Sequence, residues 1–126
     1  MSFTNISKLN TRPLDILRGL VFYKEEIKIL QERLEEVASK NNSFEARQGI
    51  EHFQNQLVMH RNNIDELKHK MNEFNDRLSK DAHLHGGRID HERINEENTL
   101  IEEYEGLEKV IKEMRRDFNA FLSKWM

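Results

Sequence analysis

Residues 46–78 read ARQGIEHFQNQLVMHRNNIDELKHKMNEFNDRL. Ala46, Ile50, Phe53, Leu57, Ile64, Leu67, Met71, Phe74 and Leu78 fall there at alternating steps of four and three, with His60 in the one remaining slot. Because an α-helix turns once in 3.6 residues, this rhythm keeps one stripe of a helix apolar along its whole length. A strand would need apolar residues at every second position. No proline interrupts the stretch, so it predicts a single long helix.

The same rhythm lies on both sides. Towards the N-terminus, the polar turn formers Ser39-Lys40-Asn41-Asn42-Ser43 separate this helix from an earlier stripe: Ile16, Leu20, Tyr23, Ile27, Leu30, Leu34 and Val37. Pro13 suits the first turn of that earlier helix, where its missing N–H would have had no helical partner. Asn42 followed by Glu45 reads as a capping box opening the second helix. Towards the C-terminus, Gly86-Gly87 ends the helix, since a left-handed cap costs glycine little. Asp90 is a good N-cap for a third, whose stripe is Leu100, Tyr104, Leu107, Ile111, Met114, Phe118, Phe121 and Trp125.

The expected fold is all-α: three long antiparallel amphipathic helices in a coiled-coil-like bundle, helices two and three forming a long hairpin. One domain is expected over 1–126, with an N-terminal arm at 1–12 and helices at 13–40, 43–82 and 90–125. Nothing in the pattern predicts β-structure. Short connections make neighbours antiparallel, so the longer second and third helices should project past the start of the first. From Asp90 to Thr99 the third helix has Ile94 as its one apolar residue, as an uncovered tip requires. Phe3, Ile6 and Leu9 recur at three-residue spacing and suggest an arm folding back onto Met71, Phe74 and Leu78. Four Glu-to-Lys or Glu-to-Arg pairs at four-residue spacing (Glu66/Lys70, Glu73/Arg77, Glu105/Lys109, Glu108/Lys112) support the helices by a few tenths of a kcal/mol each.

Composition narrows the function classes. The chain has 126 residues, 20 basic and 23 acidic, a net charge of -3, and no block of one sign. No basic stripe offers itself to nucleic acid or to an anionic membrane. Lys112, Arg115 and Arg116 are balanced by Glu113 and Asp117 and read as a solvated face. The absence of cysteine removes disulfides and thiolate chemistry and suits a reducing compartment. Asp15 and Arg18 interrupt the most apolar early stretch, which argues against a signal peptide, and a cytoplasmic protein is expected.

Catalytic motifs are missing: the sequence shows neither a Gly-rich phosphate loop nor a nucleophile motif. No enzyme activity and no cofactor are expected. His83, His85 and His91 gather near Gly86-Gly87 with Asp81, Asp90 and Glu92, which are metal-ligand types in no established spacing. They define the alternative reading, a metal- or ligand-binding bundle. Glu66 and His69 have the Glu-x-x-His spacing of di-iron bundles but point away from the stripe. His60 sits in the stripe, where a hydrogen-bonded core histidine is expected.

The first helix is more apolar than one stripe needs. Leu14, Leu17 and Val21 repeat the three-four spacing on another face, with Phe22 beside them. Two stripes imply two packing partners. The expected function is protein–protein interaction, as a scaffold, adaptor or chaperone-like module. A homodimer or higher homo-oligomer built through Leu14, Leu17, Val21 and Phe22 is expected, alongside an unidentified protein partner. The polar tip from His83 to Glu92 is a second candidate surface.

Overall fold

Three helices carry the chain: α1 (Thr11–Lys40), α2 (Phe44–Leu84) and α3 (His91–Trp125). They belong to a computed structural model that describes residues 3–5, 11–84, 86 and 88–126. Every residue of the predicted α1 stripe is buried. So is every residue of the α2 stripe except Ile50, which is half-buried. In α3, Leu100, Ile111, Met114 and Phe118 are buried, while Tyr104, Leu107 and Phe121 pack against the core from its edge. The three stripes form one core. The all-α helical bundle expected from the heptads is the fold observed.

Cross-helix pairs fix the directions. Lys24 of α1 meets Asp65 of α2 at 2.7 Å. Lys70 of α2 meets Glu103 of α3 at 3.3 Å, and further along α2 Arg77 meets Glu96. α2 therefore runs antiparallel to α3; the short connection 41–43 turns it antiparallel to α1 as well, so α1 runs parallel to α3. Of the four predicted same-helix pairs, Glu66/Lys70 and Glu108/Lys112 form loosely, at 3.9 and 3.8 Å. Arg77 turns instead to Glu96, leaving Glu73 to His69 at 2.9 Å.

The helix ends correct the sequence reading in detail. α2 is capped one residue later than expected: the Ala46 N–H donates to Ser43 Oγ at 3.2 Å. Ser43 replaces Asn42 as the cap, and Glu45, the supposed partner in the box, pairs with Lys124 at the far end of α3. Asn41 does other work. Its Nδ2 donates to the Val37 carbonyl at 3.0 Å and to the Trp125 carbonyl at 2.9 Å, so one amide closes the C-terminal ends of α1 and α3 together.

The opposite end holds the largest departure. A two-stranded antiparallel ladder joins β1 (Phe3–Asn5) to β2 (Arg88–Asp90), with Phe3 opposite Asp90 and Asn5 opposite Arg88. The arm does return to the hairpin tip, as a strand paired just past the turn. Ile6 and Leu9, on which the expected packing against Met71, Phe74 and Leu78 depended, lie outside the described residues. Asp90 ends β2, and α3 begins one residue later than expected. Gly86 turns the chain with φ of 64°, the left-handed conformation that favours glycine.

Beside α2, Arg77, Glu96, Arg93 and Asp81 form a continuous chain of partly buried charges. Arg93 reaches Asp81 at 2.5 Å and Glu96 at 2.9 Å, and Glu96 also takes Arg77. Charge pairing thus joins α2 to α3 where apolar residues thin out.

Two helix-interior glycines admit aromatic rings of α3. A Cβ on Gly19 would overlap the Tyr104 ring, and one on Gly49 would overlap Phe121, whose ring is tilted against those of Phe53 and Phe118. A Cβ on Gly106 would meet nothing. Gly49→Ala should therefore destabilise the protein by about 1 kcal/mol net, as overpacking outweighs the helix-propensity gain. Gly106→Ala should stabilise it by roughly 0.5–1 kcal/mol. Chemical denaturation of both variants checks this, and equal effects would refute the assigned role of Gly49.

Candidate functional site

At 100° per residue, Leu14, Arg18, Val21, Phe22, Glu25 and Ile29 project from one side of α1, opposite the buried stripe centred on Leu20 and Ile27. Leu14 is 48% exposed, Val21 48%, Phe22 61% and Ile29 52%. Phe22 is steadied by an edge-on contact with Tyr23, ring centres 5.4 Å apart. The row is flanked by Asp15 and Lys28, both exposed.

This placement sorts the four residues expected at an interface. Leu14, Val21 and Phe22 share the outward face. Leu17 does not belong wholly to it, because it is half-buried against the chain's own core. Its direction, a quarter-turn from the outward row, brings it to the edge of the bundle. Ile29 takes its place. It was hidden in the sequence by its neighbour Leu30, although it lies one heptad beyond Phe22.

At the hairpin tip, His83, His91 and Glu92 are exposed, and Leu84 is 75% exposed. His85 lies outside the described residues, so the three histidines cannot be placed as a set. Among the described residues, no three His, Asp or Glu side chains converge to hold a metal ion. Glu66 and His69 are on the solvent side of α2, as the stripe requires.

Two ionisable groups, His60 and Glu97, are buried, and a third, Arg115, is half-buried. His60 is buried, as expected, but its Nδ1 has no hydrogen-bond partner among the described residues. The hydrogen bond expected of a core histidine is not made through that nitrogen. Burial pushes the imidazole pKa below its ordinary value. Glu97 is also buried, and its place on the α3 stripe, three residues before Leu100, was the signal that could have found it. Arg115 is not on a solvated face. It reaches from α3 to Glu26 of α1 at 2.6 Å, and that hydrogen bond holds its pKa up.

The α1–α3 edge carries a small polar cluster beside Arg115. Glu108 accepts a hydrogen bond from the Tyr23 hydroxyl at 2.6 Å and another from Tyr104 at 3.3 Å. Burial first, then the Glu108 carboxylate, raises both phenols, with Tyr104 pushed up to about 12. These groups close a helix–helix edge. The grooves that follow the other edges are open, and one is lined by Glu66, Lys70 and Glu103, already paired.

No family model, no curated protein and no solved structure matches this chain. No helix is long and apolar enough to cross a membrane among the described residues.

Two measurements bear on these placements. Burial lowers the His60 pKa in the fold, so as pH falls the unfolded chain binds this proton before the folded one does. Stability should drop below about pH 6.5, where an ordinary imidazole charges, with a slope of at most about 1.4 kcal/mol per pH unit from this residue. His60→Leu should remove that component and leave the fold intact or more stable, as urea titrations of both proteins at several pH values would show. An unchanged pH slope would contradict the assignment. Zinc at modest excess should leave the melting temperature unaltered. A large rise abolished by His83→Ala/His85→Ala would instead establish a tip metal site.

Proposed function

We propose that this protein is a non-enzymatic helical bundle of the cytoplasm that works by binding proteins, as a scaffold, adaptor or chaperone-like module, and that it assembles with its own copies through α1. The observation that carries the reading is the outward row on α1. Single exposed apolar residues are ordinary on a protein surface. Four of them, at heptad spacing on the face away from the core, make a contact surface. Each is about half in water, so covering it would recover on the order of 1 kcal/mol per side chain.

A second copy is the favoured occupant. Closed two-fold assemblies are the commonest among soluble proteins, and the charges around the row suit self-pairing. The non-enzymatic part of the reading is supported by the use of the deeper polar groups in joining helices. The cytoplasmic part is supported by a cysteine-free sequence.

Light scattering and sedimentation of the purified protein test the proposal. The wild type should be dimeric or larger at micromolar concentration. Val21→Glu/Phe22→Glu should shift it to monomer with its helical circular dichroism retained, since both side chains are exposed. A wild type that stays monomeric at high concentration would overturn the self-association reading.

A further inference from the structure

The outward face of α1 has a charge pattern that reverses about its own midpoint. Read from Leu14 to Ile29, the exposed positions on this face run Leu14, Asp15, Arg18, Val21, then Phe22, Glu25, Lys28, Ile29; Lys24 is exposed too, but it is turned towards α2 and paired there with Asp65. A two-fold axis between residues 21 and 22, perpendicular to the helix, would bring the level of Arg18 to that of Glu25 of a second copy. It would likewise bring Asp15 level with Lys28, Leu14 with Ile29, and Val21 with Phe22. On this face every apolar residue is then level with an apolar one, and every charge is level with its opposite.

We infer that two copies of this chain pair α1 against α1 in antiparallel register, with the two-fold axis between Val21 and Phe22 and reciprocal Arg18–Glu25 contacts across it. The inference rests on the self-association reading and specifies its geometry. Arg18 and Glu25 lie nearest the middle of the face, with the four apolar side chains around them. In the single chain Arg18 has a loose contact with Asp15 at 3.8 Å, and the two side chains are 79% and 61% exposed. Such a pair is too screened to hold the guanidinium there. A parallel pairing is disfavoured by the same residues. It would set Arg18 level with Arg18, Glu25 with Glu25 and Asp15 with Asp15, a like-charge stack. Two-fold symmetry doubles each contact, so one substitution acts twice in the dimer.

Charge reversal tests the register. Arg18→Glu should weaken the wild-type dimer by about ten-fold or more in sedimentation, because two attractions become two repulsions. Arg18→Glu/Glu25→Arg should restore association to within a few-fold of wild type. A parallel dimer would be almost indifferent to Arg18→Glu, since a like-charge pair would replace another. Val21→Cys adds a second reading in a chain with no other cysteine. Residues beside the axis should form an interchain disulfide on mild oxidation, whereas Leu14→Cys, remote from its own copy, should not. A wild-type dimer that ignores Arg18→Glu, or that the double reversal fails to rescue, overturns this register and leaves self-association standing. So does crosslinking of Leu14→Cys as efficient as that of Val21→Cys. A monomeric wild type removes both.

Discussion

One apolar stripe on α2 has to satisfy two neighbours at once. α1 and α3 both lie against it, antiparallel, and each is held chiefly through it. The stripe can serve two helices because its members are large and continuous, from Phe53 to Leu78, and because they sit almost wholly out of water. The edge where α1 meets α3 receives less of this apolar filling. There Tyr104 is covered only in part. Polar contacts complete that edge: Tyr23 and Tyr104 on Glu108, Arg115 on Glu26, Asn41 on the Trp125 carbonyl. Polar groups here make up a shortage of apolar surface, and the raised pKa values of Tyr23, Tyr104 and Arg115 are a by-product of packing.

How much of this was legible depends on the physical range of each signal. Heptad spacing is local and strong, so the three stripes could be read directly, and their burial followed. Helix ends depend on which of several adjacent polar residues wins a backbone N–H. Ser43 rather than Asn42 could not be chosen from residue type, because both are good caps. Pairing of β1 with β2 joins residues far apart in the chain through backbone groups, which leave no mark in side-chain order. Arg115 looked solvated because its helix-mates Glu113 and Asp117 balanced it, and only the approach of α1 supplies Glu26.

The candidate surface was half legible for a related reason. Periodicity places residues around a helix but does not say how far the neighbours wrap it. Leu14, Val21 and Phe22 were placed correctly on the outward side. Leu17, a quarter-turn away, is half-buried against the chain's own core. Ile29 was masked because its neighbour Leu30 absorbed the apolar signal. His60 shows the same limit in the interior: its burial was predictable from the stripe, while the missing partner at Nδ1 is a matter of tertiary packing that periodicity does not carry.

The ladder between β1 and β2 bears on the order in which the molecule can assemble. Three paired residues per strand have no stability of their own. Their partners are separated in sequence by all of α1 and α2, so bringing them together carries the entropy of closing a very long loop. The helices, whose contacts along each chain segment are near neighbours, can form and dock without that closure. The strand pair can only form on a hairpin already in place, as a late addition to a finished bundle. On the same energetic grounds it is the first element to open on unfolding, releasing the N-terminal arm while the three-helix core remains closed.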